Sequence, residues 1–351
     1  MASYFSAEDF FTTSYLKELD LSNDIKVGKV QTLDDLKRLS HPAWPYLQTQ
    51  LKSVTNKEVE EFLRGAIDIH AHGAPDFLMG RPPTIETCKK ASETGMEALI
   101  LKDNSYQTSP VAYAMQEVLD EWALERELKA TQIYGGVVLN YSVGGINPKA
   151  VEAALSGDFG KKTKCVWMPT FDAVWHYKML DKSVGISTID DNGKVKPEVK
   201  EIFQIIADSE KKVFVGTGHV SVQEMVALAD EAKDAGVDLV ATHANQEISV
   251  LTVEEAKDLV DRGAWIELSE VAMIGTPFVC PGWIVNFEHT MNLIKELGPE
   301  KIILATDAGQ PGHAIVEAFS MMVRVLLSRG ISEEDLTKMC KDNPAKISGI
   351  R

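Results

Sequence analysis

Short apolar runs rich in β-formers recur along the chain at 66–73 (AIDIHAHG), 97–103 (EALILKD), 133–140 (IYGGVVLN), 164–171 (KCVWMPTF), 212–220 (KVFVGTGHV), 238–245 (DLVATHAN), 264–270 (AWIELSE) and 301–309 (KIILATDAG). Between them lie stretches with mixed polar and apolar faces, such as IETCKKASETGM and SVQEMVALADEAKDAG, which predict helices. Several close on a glycine just before the next apolar run, the expected helix stop. Near-continuous apolar strands alternating with helices imply a parallel sheet covered on its outer face. Eight such units predict a (β/α)₈ TIM barrel of the α/β class. A doubly wound open sheet is the alternative, but no GxGxxG follows the first run.

Two segments break the rhythm. Residues 172–197 follow the fourth strand and 271–289 follow the seventh, which places both on the face where barrel enzymes carry their sites. Their Trp175, Tyr177, Phe278 and Trp283 either line a pocket or pack the loops on themselves. Residues 1–65 read as a mostly helical extension, a cap or subunit contact, ahead of a barrel domain at 66–351. Phe10, Phe11, Trp44 and Tyr46 in that extension need burial, which predicts a homo-oligomer.

The chain has 351 residues, 44% hydrophobic and 25% charged, close to an average soluble protein. No apolar run approaches the ~20 residues of a membrane span, and the acidic N-terminus does not read as a secretory signal. A net charge of −16 repels phosphate backbones and argues against nucleic-acid partners. The four cysteines are scattered singly, which suits reduced thiols in a cytoplasmic protein and gives no zinc-finger spacing.

The polar residues change the picture by position. His70 and His72 end the first strand, and residues two apart on a strand share a face. Lys102 ends the second strand, His219 the fifth, His243 the sixth and Asp307 the eighth. In a barrel these ends converge, so four of the eight histidines would meet an aspartate and a lysine at one mouth. Imidazole and carboxylate in that combination point to a divalent metal, zinc first, with manganese or iron as alternatives and one or two ions per chain.

HxH on strand one, single histidines on strands five and six and aspartate on strand eight resemble the amidohydrolase superfamily. The closing DNPAKISGI is similar to an ending common there. More narrowly, HAHGAPD, LILKDN, VVLNYSVGGINP, VWMPTFDA, GTGHVS and TDAGQ resemble an uncharacterised amidohydrolase-related family. The resemblance implies a metal-activated hydroxide that cleaves an amide, cyclic amide, lactone or other ester bond of a small molecule. His70, His72 and Asp307 would hold one metal and His219 and His243 a second, with Asp307 also moving the proton. Two-metal relatives usually bridge their ions from strand four, and CVWMPTFDA offers no such group. Lys102 is the available substitute if carboxylated; otherwise it is a cation for a substrate anion or a solvated strand end. The missing bridge leaves decarboxylation or isomerisation on the same barrel as an alternative. Arg81, His176, Glu267 and His313 are candidate substrate contacts, although Arg81 reads equally as a surface arginine.

Overall fold

The computed structural model describes residues 52–76, 78–180, 182, 184–275 and 287–350. Most of the N-terminal extension, with Phe10, Phe11, Trp44 and Tyr46, lies outside the described residues, as do Phe278 and Trp283. Eight parallel strands stand in sequence order: β1 (Ile67–Ala71), β2 (Ala98–Leu101), β3 (Gln132–Val138), β4 (Thr163–Trp167), β5 (Phe214–Gly216), β6 (Leu239–Ala241), β7 (Trp265–Ser269) and β8 (Ile302–Ala305). Helices alternate with them, so the architecture is the expected (β/α)₈ barrel. Two apolar layers hold it. Ile69, Ile100, Trp167, Phe214, Val240 and Ile303 belong to the inner one, and alternate strand residues such as Leu99, Val166 and Leu304 pack in the larger layer that includes the helices. Glycine stops occur where the pattern placed them: Gly95 and Gly236 end their helices at φ 77° and 69°, a conformation that costs glycine little. Ser221 with Glu224 and Thr252 with Glu255 form capping boxes at two helix starts. Among the described residues, no helix is long and apolar enough to cross a membrane.

Strand lengths differ from expectation. The run 212–220 yields only three strand residues, Phe214–Gly216, because the glycines of VGTGHV divert the backbone after them. His219 therefore sits in the loop beyond β5, and His243 and Asp307 each lie two residues past their strands. Both hold positive φ, 35° and 54°, a region sparsely used by residues other than glycine. Such strain is found at functional positions, where surrounding structure enforces it.

The seam between β1 and β8 is closed partly by a side chain. Pairing slips in β1: Asp68 lies opposite Leu99 but Ala71 opposite Leu101, three residues against two. The bulge interrupts simple alternation. Asp68 turns to β8, where Oδ2 accepts from Thr306 Oγ1 at 2.5 Å and Oδ1 accepts from the Thr306 and His70 amides, each at 3.1 Å. Burial raises its pKa to about 6, against the opposing pull of the Thr306 hydrogen bond. Asp68→Ala strands three buried donors, and we expect a loss of about 3–5 kcal/mol in unfolding free energy, read from the chemical-denaturation midpoint. A variant as stable as wild type would show that the carboxylate does not close the seam. The C-terminal motif is also structural: Asn343 Nδ2 donates to the carbonyls of Pro299 and Ile302, each at 2.7 Å, at the start of β8.

Candidate metal centre

The β1 bulge sends His70 and His72 to the mouth. One ligand atom from each of His70, His72 and Asp307 lies within 4.8 Å of the others, and all three side chains are buried. Asp307 Oδ1 stands 3.1 Å from Nε2 of His72 and 3.1 Å from Nε2 of His70. The loops close on this point: Asp307 N–H donates to the His70 carbonyl at 2.9 Å, and His72 N–H to that of Ala308 at 2.8 Å.

Hydrogen bonding on the far side of each ring fixes which nitrogen is offered. His70 Nδ1 lies 2.8 Å from Glu267 Oε1, and an acceptor-only carboxylate demands Nδ1–H, which directs Nε2 inward. His243 Nδ1 lies 2.6 Å from Ser249 Oγ, whose own proton has the Thr242 and His243 carbonyls as acceptors at 3.2 and 3.1 Å. The ring is then the donor, and its Nε2 carries the lone pair. His72 Nδ1 is buried with no hydrogen-bond partner among the described residues. These donors suit a divalent metal: imidazole nitrogens with inward lone pairs beside an ionised carboxylate.

Charge agrees with that fit at three of the four imidazoles. Burial drives His219 and His243 well below the ordinary imidazole range, and burial together with the Arg81 cation takes His72 to about 3. They are neutral, as ligands must be. Burial and Lys102 also act to lower His70, but the Asp307 and Glu267 carboxylates outweigh them and raise it to about 9. Asp307 is held well below the carboxylate range: burial opposes this, and His70 and His72 prevail.

Lys102 is 4% exposed, which rules out the solvated strand end. Its Nζ sits 3.0 Å from His70 Nε2 and 5.9 Å from the centre of the Trp167 ring. Burial lowers its pKa, although Asp307 and Glu267 pull the other way.

The four candidate substrate contacts have other partners. Arg81 is buried rather than superficial; Nε lies 2.5 Å from Asp76 Oδ2 and Nη1 donates to the Gly309 carbonyl at 3.1 Å, tying the loops after β1 and β8 together. Glu267 is 1% exposed and stands behind His70. His313 Nε2 lies 2.9 Å from Glu270 Oε2 beside the mouth. His176 Nδ1 faces His219 Nδ1 at 2.8 Å. Of the loop aromatics, Trp175 is 37% exposed but donates Nε1–H to the Ile248 carbonyl at 2.9 Å, and Tyr177 donates its hydroxyl to Asp172 at 2.8 Å.

Sequence reading missed Asp68, Trp167 and Ser249. Asp68 carried a signal, a lone carboxylate inside an apolar strand. Ser249 carried none, because its role depends on a loop that folds back six residues to reach His243.

Eight parallel strands with these groups at their C-terminal ends make a (β/α)₈ barrel that carries a candidate metal centre at its mouth. Residues 65–267 match a family of unknown function, DUF6282, and the chain belongs to that family. No curated protein matches it. Among solved structures, an amidohydrolase from Pseudomonas aeruginosa superposes with a TM-score of 0.57 at 14% identity, over 84% of this chain and 98% of that one. An organophosphorus hydrolase from Deinococcus radiodurans gives 0.52 at 14% identity, over 81% and 92% of the two chains. A mutant PTE-like lactonase from Deinococcus radiodurans gives 0.53 at 13% identity, over 81% and 96%. At such identities the likeness is one of fold.

Proposed function

We propose that this protein is a metal-dependent hydrolase that cleaves an amide, cyclic amide, lactone or other ester bond of a small molecule. One observation carries the reading: His70, His72 and Asp307 converge within 4.8 Å at the mouth where this barrel type performs chemistry. His219 and His243, with ring centres 5.0 Å apart, would serve a second ion. A divalent ion held there, zinc first and manganese or iron as alternatives, would supply an acidified water and polarise the scissile carbonyl.

The chain's own groups do the rest. Asp307, ionised and fixed between two imidazoles, accepts a proton from the attacking water and returns it to the leaving group. Glu267 and Ser249 hold His70 and His243 in orientation. Burial lowers the Lys102 pKa and so favours the neutral amine, to which CO₂ would add with formation of an Nζ–C bond and loss of one proton. Carboxylation would convert a competitor for the His70 nitrogen into an anionic ligand. If Lys102 instead stays cationic beside one ion, decarboxylation or isomerisation becomes the better reading.

A panel of lactones, carboxylic esters and cyclic amides, assayed with zinc-loaded and chelator-stripped protein in ¹⁸O-water, separates these outcomes. Turnover that chelation abolishes, with label in the product, supports hydrolysis. Release of CO₂ without label would replace it.

Metal binding must displace the His70 proton below about pH 9. Zinc affinity of the stripped protein is therefore expected to rise about tenfold per pH unit up to that point and then flatten. A pH-independent affinity between 6 and 8 would contradict this state of His70, and competition titration with a chromophoric chelator measures it. We place the protein in the cytoplasm, as its dispersed thiols suggest, and expect a homo-oligomer, which a monomeric mass by light scattering would contradict.

A further inference from the structure

Strand β4 brings no carboxylate or lysine to the mouth, but the loop after it brings an imidazole. His176 sits on the short helix Val174–Met179, with Nδ1 at 2.8 Å from His219 Nδ1 and the two rings only 15° from parallel. Two bare imidazole nitrogens repel at this distance, so in the metal-free protein one ring donates a proton to the other. Both rings are buried, at 9% and 6% exposure, and Phe171 meets them edge-on with centroids at 5.1 and 5.5 Å.

The backbone builds this pair. Trp175 Nε1 fastens the His176 helix to the Ile248 carbonyl, and Val174 N–H donates to the Ile186 carbonyl at 2.9 Å. His219 N–H donates to the Pro169 carbonyl at 3.0 Å. Gly218, at φ 64°, lets the chain lie so close that a Cβ there would strike the Met168 and Pro169 carbonyls. The loops after β4 and β5 are thus pressed together independently of their imidazoles, and the His243 ring lies 5.0 Å from that of His219 between centroids.

We propose that His176 is a metal ligand: with His219, and joined by His243, it holds the second divalent cation of the mouth and takes the place of the ligand that β4 lacks. On binding, the donor ring moves its proton from Nδ1 to Nε2 and the two rings turn apart to the wider spacing of metal-bound nitrogens, so both Nδ1 lone pairs are offered to the ion without a change of charge. The inference rests on the metal reading above but reassigns His176 from substrate to metal.

Cobalt(II) titration of wild type, His176→Gln, His176→Cys and His70→Ala, read by bound cobalt per chain and visible absorption, tests it. Metal-free melting temperatures check that each variant folds. The expected result is two ions for wild type, with the second step at least about a hundredfold weaker in His176→Gln. His176→Cys should regain that ion and show a thiolate-to-cobalt charge-transfer band absent from wild type. A His176→Gln protein that binds cobalt with wild-type number and affinity, while His70→Ala loses an ion, overturns the role of His176 and leaves the hydrolase reading standing. A full complement in His176→Cys without the band also overturns it. No uptake by wild type removes both.

Discussion

Asp307→Asn is expected to lower kcat about a thousandfold at saturating zinc, on whichever lactone, ester or amide the wild type turns over best. Asp307 Oδ1 lies 3.1 Å from Nε2 of both histidines of the HxH pair. Its carboxylate is ionised despite burial, which leaves it able to accept a proton. Asparagine keeps the size and one acceptor but cannot take a proton. It also tolerates the left-handed backbone at φ 54° about as well as aspartate, so the fold should survive the change. A melting temperature near wild type with the large loss of kcat is the expected pair of results. A kcat within tenfold of wild type would show that the proton moves elsewhere.

Glu267 is expected to have the next largest effect, although it touches no substrate. One carboxylate oxygen accepts from His70 Nδ1 at 2.8 Å and from the His243 amide at 3.2 Å, so it sets the ring of one ligand and the backbone of another. Glu267→Ala should weaken zinc binding by about a hundredfold, and Glu267→Gln, which keeps an acceptor, by about tenfold. Zinc competition titration reads both. Equal, wild-type affinity in the two variants would mean that His70 is oriented by packing against Trp167 and His243, whose ring centres lie 6.1 and 5.7 Å away.

The barrel was legible because its signal is periodic. Buried parallel strands read as apolar runs, and capping residues and glycines mark the helix ends between them. His70, His72, His219, His243 and Asp307 were legible because barrel topology maps strand ends onto one mouth, so position alone implied that they meet. Lys102 stands beside His70, at the mouth its strand end implied, yet its burial was not readable from LILKDN. Glu267 was named as a candidate substrate contact, since alternation could not say which side of the strand faced the mouth. The contact that defines it spans 197 residues. The bulge at Asp68–Ala71 is harder still. Strict alternation would group Asp68 with His70 and His72, and only the slip in pairing against β2 separates the seam carboxylate from the ligands. The pairing of His176 with His219 depends on two loops whose approach is set by backbone contacts, which leave no spacing rule in the sequence.

Elemental analysis of protein purified without chelator and with bicarbonate present tests the metal centre most directly, with His70→Ala as the paired control. About two divalent ions per chain, reduced in the control, is the predicted result. Protein that carries no ion, and takes up none on addition of zinc or manganese, would contradict it.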